Sequence, residues 1–296
     1  MSTRPTRALS RLLARPDFRR NPMRALWRRI RWRARWTMHR EPWTIGFVGG
    51  LRIAVVRTGP GALIFYQGFS EPDTAEFVGR FLRPGMTVID VGAYVGEYTL
   101  LSARLVGPPG HVHAFEPNPA LFHLLSHNVT ANGLTNVTVN EAAVAEADGD
   151  AVLDIPEEAA LASLRPAGAA AGVAGSRVRT VRLDDYVAGR GLGSVDLIKV
   201  DVEGAERRVF DGARDLMMAE PALAPVLLFE HAPHNYARHG YAPEAVFATL
   251  RSHGYSIFLA RRGGALAPVE PDTVPEGTIN LVAAKDADRL HALIGS

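Results

Sequence analysis

Between Val88 and Thr99 the chain reads Val-Ile-Asp-Val-Gly-Ala-Tyr-Val-Gly-Glu-Tyr-Thr. An apolar, β-branched run ends in an aspartate, and two glycines four residues apart follow. That is a buried strand, a tight turn and the start of a helix, the arrangement on which open parallel sheets bind nucleotide-like ligands. From Met86 onward the pattern repeats. His111–Phe115, Val137–Val144, Val178–Leu183, Val195–Asp201, Pro225–Glu230, Tyr255–Ala260 and Thr278–Ala284 read as strands. Helices are expected at Tyr98–Val106, after the Asn118-Pro119 cap, and at Pro243–His253. Such alternation predicts an α/β fold, a mostly parallel sheet with helices on both faces. Residues 157–176, rich in Ala, Gly and Ser, are expected to be a surface loop.

Ahead of this body lie two other segments. Residues 44–84 form a lead-in, with two β-rich runs in TIGFVGGLRIAVVRTGPGALIFY and then a helix from Pro72 to Leu82. Residues 1–43 are a basic arm. Residues 1–40 carry 13 arginines and one acid, Asp17, whereas the rest holds 20 basic and 30 acidic residues. The positive charge therefore belongs to the arm, and the mildly acidic body (85–296) argues against a nucleic-acid groove. Asn21-Pro22 starts a helix. Met23, Leu26, Trp27, Ile30 and Ala34 make one apolar stripe, with arginines and Trp32 and Trp36 around it. Residues 22–40 thus suit peripheral contact with an anionic membrane, or docking on the body with the arginines in water. No apolar run is long enough to span a bilayer. A cytoplasmic protein is expected, at most peripheral to the inner face of the membrane. The 31 arginines against two lysines, Lys199 and Lys285, point to a GC-rich, bacterial genome.

The absence of cysteine excludes disulfides, thiolate metal sites and a cysteine nucleophile. No phosphate loop with lysine and serine is present, and no Gly-x-Ser-x-Gly elbow. At the first turn, a dinucleotide motif would need glycine where Tyr94 stands, and Asp90 would repel a phosphate. S-adenosylmethionine carries an ammonium and a sulfonium and no phosphate, so an acidic strand end suits it. Asp90, Gly92, Ala93, Tyr94, Gly96 and Thr99 are the first set of cofactor residues. Glu116 and Pro117 follow the next strand, where a carboxylate can accept from both ribose hydroxyls. Ala143 marks a place for the adenine. A nicotinamide or flavin cofactor and a structural turn with no ligand are the alternatives.

The ordered set VIDVGAYVGEYT, HAFEPNP, Ala143-Val144 to Asp148-Gly149, Leu183-Asp184 and VDLIKVDVEGAE resembles the FkbM family of S-adenosylmethionine-dependent methyltransferases. The resemblance implies the seven-stranded class I methyltransferase sheet with its last strand antiparallel. It also implies Gly92, Gly96 and Glu116 at the cofactor, and a hydroxyl on a carbohydrate or secondary metabolite as acceptor. By the same resemblance, asparagine is the usual residue where this chain has Tyr94.

An aliphatic hydroxyl needs a base to take its proton, and acids or histidines at the strand ends are candidates. Asp201, which could also bind the cofactor, and Glu203 follow one strand; Glu230 and His231 follow the next. Glu230 and His231 could act jointly only if the strand has ended there, because adjacent strand residues point to opposite faces. Lys199 reads as a partner of a structural ion pair. Glu71 and His234 are carried as acceptor contacts, with a surface position the plainer reading of His234. Asp201, Glu203, Glu230 and His231 could hold magnesium, but no tight ligand spacing demands it, and no metal is expected. The rival function is an RNA methyltransferase using the arginine arm.

Overall fold

The computed structural model describes residues 16–155, 162–165, 175–261, 265–270 and 273–295. Two compact units share the chain, one up to Pro72 and one spanning Asp73–Ser296. The basic helix and the strand-rich part of the lead-in therefore belong to one body.

The first unit holds helices α1 (Pro16–Arg20) and α2 (Pro22–Met38), strands β1 (Trp43–Gly46) and β2 (Arg52–Val55), and helix α3 (Gly61–Gln67). Asn21 caps α2 by accepting from the Arg24 N–H at 2.9 Å. The strands form an antiparallel hairpin turning at Val48–Gly50. The second β-rich run of the sequence, Ala62 to Tyr66, is helical instead. Pro60 and Gly61 start that helix, and burial of Ile64 and Phe65 outweighs local strand preference. The core is aromatic: the Trp32 ring lies 5.4 Å from Trp36, 6.0 Å from Trp43 and 5.6 Å from Phe65.

The docked face of α2 is not the one the apolar stripe suggests. At about 100° per residue, Ala25, Trp32 and Trp36 share a face opposite Met23, Trp27, Ile30 and Ala34. The first three are buried and the last four are exposed. Trp32 meets the rings of Trp36, Trp43 and Phe65, and this aromatic cluster holds the two tryptophans on the core side.

The second unit opens with α4 (Pro72–Phe81). Its order then runs β3 (Thr87–Val91), α5 (Glu97–Val106), β4 (His111–Phe115), α6 (Pro119–Ala131) and β5 (Val137–Asn140). A small sheet follows, from β6 (Ala143–Val144), β7 (Gly149–Asp154), β8 (Ser163–Leu164) and β9 (Gly175–Val181). The chain re-enters the main sheet through α7 (Leu183–Gly189) and β10 (Leu197–Val200). Helices α8 (Glu206–Gly212) and α9 (Arg214–Met218) lead to β11 (Val226–His231). Helices α10 (Pro233–Tyr236) and α11 (Pro243–Ser252), strands β12 (Ser256–Ala260), β13 (Leu266–Pro268) and β14 (Ile279–Ala284), and helix α12 (Ala287–Gly295) complete it.

The main sheet has the order β13-β12-β14-β11-β10-β3-β4-β5. From β5 to β11 all neighbours are parallel, and β14 is antiparallel to both β11 and β12. The mostly parallel sheet with an antiparallel last strand is therefore present, with eight strands rather than seven. The extra one, β13, is a short edge strand antiparallel to β12. Two strand expectations change with it. Val137–Val144 divides between two sheets, and Leu183 begins a helix. Of the expected loop 157–176, Ser163–Leu164 and the start of β9 are strand; 157–161 and 166–174 lie outside the described residues.

Candidate active site

Strand order reverses between β3, which leads on to β4 and β5, and β10, which leads on to β11. Ligands of open α/β sheets bind beyond the carboxyl ends of the strands at such a point. Val91 pairs with Phe115 and Val200, and Val200 pairs with Phe229. The next residue of each strand is Gly92, Glu116, Asp201 and Glu230, so these stand at one level along the strand ends.

Asp90 lies just below, 1% exposed. The Thr99 hydroxyl, on α5, donates to its Oδ2 at 2.6 Å. Lys199 is its cross-strand partner, with Nζ 3.9 Å from Asp90 Oδ1 and 3.2 Å from Asp201 Oδ2. The Lys199 ammonium also sits 5.0 Å from the Tyr98 ring centroid. Burial raises the Asp90 pKa, and Lys199 and Thr99 oppose that shift. Lys199 thus bridges the ends of β3 and β10 as an ion-pair partner.

Glu116, 5% exposed, accepts the Tyr94 N–H at Oε2 and the Asn118 N–H at Oε1, both at 2.9 Å. Burial raises its pKa to about 7 against these two donors. Each oxygen keeps lone pairs for further donors, as a ribose diol requires. Pro117 beside it is half-buried. Ala93 N–H donates to Phe115 O at 3.0 Å, tying the turn to β4. Ala143 is buried and pairs with Thr180 in the small sheet.

The two glycines of the turn are needed for a reason the sequence does not show. A Cβ on Gly92 would stand 1.9 Å from Asp201 O, and one on Gly96 would stand 2.7 Å from Leu125 Cδ1. They make room for neighbouring protein. Tyr94 has φ +53°, in the left-handed region that glycine and asparagine tolerate best. Asparagine, the residue the FkbM resemblance implies there, tolerates that region better, so tyrosine is the more strained choice.

Glu203 is the other non-glycine residue with positive φ among the described residues, also +53°. It lies in the turn after β10, where Asn235 Nδ2 donates to its Oε2 at 2.9 Å and Ser163 Oγ donates to its backbone carbonyl at 3.2 Å. One carboxylate oxygen from each of Asp201, Glu203 and Glu230 lies within 4.8 Å of the others. Folding therefore gathers three of the four candidate bases. The cluster also has the oxygen-rich character of a hard-cation site, which no sequence spacing announced.

His231 lies elsewhere. Strand β11 continues through it, paired with Ile279, so its ring points away from Glu230. It is 0% exposed, with Nδ1 3.2 Å from the Tyr236 hydroxyl and Nε2 2.9 Å from Pro275 O. Burial lowers its pKa. The joint Glu230–His231 base is not formed. His234 is exposed on α10, and Glu71 is half-buried within the first unit.

Sequence reasoning missed Asn235 and Glu206. Asn235 had no signal, because it lies 32 residues from the glutamate it holds. Glu206 closes the DVEGAE segment and is 0% exposed. Its Oε1 accepts the Gly204 N–H at 3.2 Å, and burial raises its pKa to about 8.

The acidic acceptor set of Asp90, Glu116 and Asp201 fits a cationic, phosphate-free cofactor and disfavours a pyrophosphate. With the sheet order, it defines an S-adenosylmethionine-dependent methyltransferase. The model of the methyltransferase FkbM domain matches residues 90–257. The 31-O-demethyl-FK506 methyltransferase FkbM of Streptomyces tacrolimicus is 30% identical over 242 residues, 72% of this chain and 89% of that protein. The protein-L-isoaspartate O-methyltransferase of Methanothrix thermoacetophila is 38% identical over 58 residues, 20% of this chain and 28% of that one. A solved SAM-dependent methyltransferase from Aquifex aeolicus aligns over 72% of this chain and 93% of its own at 18% identity, with a TM-score of 0.39. The chain belongs to the FkbM methyltransferase family, and S-adenosylmethionine is its methyl donor.

Proposed function

We propose that this methyltransferase acts on a hydroxyl oxygen of a carbohydrate or secondary-metabolite acceptor. The observation that carries the reading is the convergence of Asp201, Glu203 and Glu230 at the strand ends beside Asp90. An oxygen nucleophile must lose a proton, and a carboxylate cluster supplies a place for it. The relative from Streptomyces tacrolimicus is named for methylating an O-demethyl secondary metabolite, which supports the acceptor class.

S-adenosylmethionine supplies the electrophilic methyl group and a neutral thioether leaving group. The chain's part is to bind, orient and accept the proton. Glu116 would hold the ribose hydroxyls, while Asp90 and Asp201 would give the strand ends the charge that favours a cation. Asp201 is engaged by Lys199. Glu203, fixed by Asn235 and by the left-handed turn, takes the acceptor proton at a carboxylate oxygen, with Glu230 beside it.

The same cluster favours a second reading, in which Asp201, Glu203 and Glu230 hold a divalent cation that orients the acceptor hydroxyl. One experiment separates the two. The protein is incubated with labelled cofactor and fractionated glycans or polyhydroxylated metabolites, with EDTA or with magnesium. Glu203→Gln is expected to lower turnover by about 10²–10⁴-fold with S-adenosylhomocysteine binding intact, and EDTA to leave the parent activity unchanged. Loss in EDTA restored by magnesium would transfer the cluster to the cation reading. Label appearing in RNA instead would overturn the acceptor class.

A further inference from the structure

Helix α2 has two apolar faces, and the first unit uses only one. Ala25, Trp32 and Trp36 pack inward. On the opposite side Met23 is 76% exposed, Leu26 48%, Trp27 63% and Ile30 49%. In water such a contiguous stripe is costly without something to cover it. Its rims are basic: Arg24 and Arg31 flank one side, Arg33 the other, and all three are exposed. Arg29, which points nearer the core, is neutralised by Asp17 at 2.6 Å, the single acid among residues 1–40. The Arg28 guanidinium has its pKa lowered by burial and then by Arg24 and Arg31, so the positive charges on this helix crowd one another.

We propose that α2 docks in the plane of an anionic lipid surface, with the Met23–Leu26–Trp27–Ile30 stripe in the acyl boundary and the arginine rims on headgroup phosphates. The charge pattern selects this occupant. A second copy meeting the stripe face to face would press like-charged rims together. A nucleic acid would want the arginines central and would leave the aliphatic stripe in water. An anionic bilayer satisfies both parts, since it accepts apolar side chains, seats an indole at its interface and attracts the rims.

The test is co-sedimentation of the full chain with vesicles of phosphatidylcholine alone, or of phosphatidylcholine with phosphatidylglycerol. Binding is expected only with phosphatidylglycerol, and it should weaken with salt. Leu26→Ser combined with Trp27→Ser and Ile30→Ser should abolish it while thermal unfolding by circular dichroism is retained, because these side chains are exposed. Arg24→Gln and Arg33→Gln should each weaken it about fivefold. Equal binding to both vesicle types, or undiminished binding by the serine variant, would overturn the proposal. So would a dimer in light scattering that the serine variant dissociates, or RNA retention without vesicle binding.

Discussion

Tyr94 and Glu203 hold the same unfavourable backbone conformation on neighbouring strand ends. A left-handed non-glycine residue costs roughly 1–2 kcal/mol, and such strain persists where the surroundings over-determine it. Tyr94→Asn is therefore expected to stabilise the protein by about 1 kcal/mol, seen as a melting temperature raised by about 2–4 °C; a lower melting temperature would show that the ring's contacts outweigh the backbone. Glu116 carries the second prediction at this scale. Its pKa of about 7 in the free protein leaves much of it protonated at pH 6. Ribose hydroxyls donate to the ionised form and favour it, so binding releases a proton. Affinity for S-adenosylhomocysteine should rise between pH 6 and 8, by at most about tenfold per unit, and Glu116→Gln should bind weakly with no such slope. Calorimetry across that range measures both. At this scale the sequence marked Gly92, Glu116 and Asp201 by their place directly after an apolar run, and the structure stands them at one level along the strand ends. It could not show why Gly92 is glycine, because the atom that forbids a Cβ belongs to Asp201, 109 residues away.

Elements behave differently, because a helix or strand chooses its face by what is available to pack against. In α2 the regular apolar stripe is outward, and Trp32 and Trp36, which stand beside it in the sequence pattern, are the core. In α3, residues with strand preference are helical for the same reason. At the start of α8 two effects compete. An ionised Glu206 in the first turn would favour the helix dipole, but complete burial wins and keeps the carboxyl protonated up to about pH 8. The folded pKa lies above the ordinary glutamate value of about 4.5. The folded chain thus holds a proton the unfolded chain has lost, and this contribution is complete below pH 4.5 and disappears as pH rises to about 8. Urea midpoints of the parent should fall across that window. Glu206→Gln, which keeps a neutral acceptor for the Gly204 N–H, should flatten the fall; an identical slope in both proteins would place the titration elsewhere.

For the whole molecule, the body from Asp73 onward is a complete cofactor-binding sheet, and a ligand that binds only the folded state must stabilise it. At a hundred times its Kd, S-adenosylhomocysteine should add about 2.7 kcal/mol, detected as a raised melting temperature, whereas NAD should add nothing. A shift with NAD alone would contradict the reading of the strand-end carboxylates. The alternating apolar runs, the Asp90 and Glu116 strand ends and the DVEGAE segment determined the sheet, its direction and the methyl donor, because these are local patterns of period and punctuation. Tertiary structure alone decided the rest. It added β13 at the edge, turned His231 into the core, and brought Asn235 to Glu203. It gathered Asp201, Glu203 and Glu230 within 4.8 Å and left the stripe of α2 outside. The physical reason is common to all of them: which face of an element is buried, and which distant side chains meet, depends on packing between segments that no local spacing records.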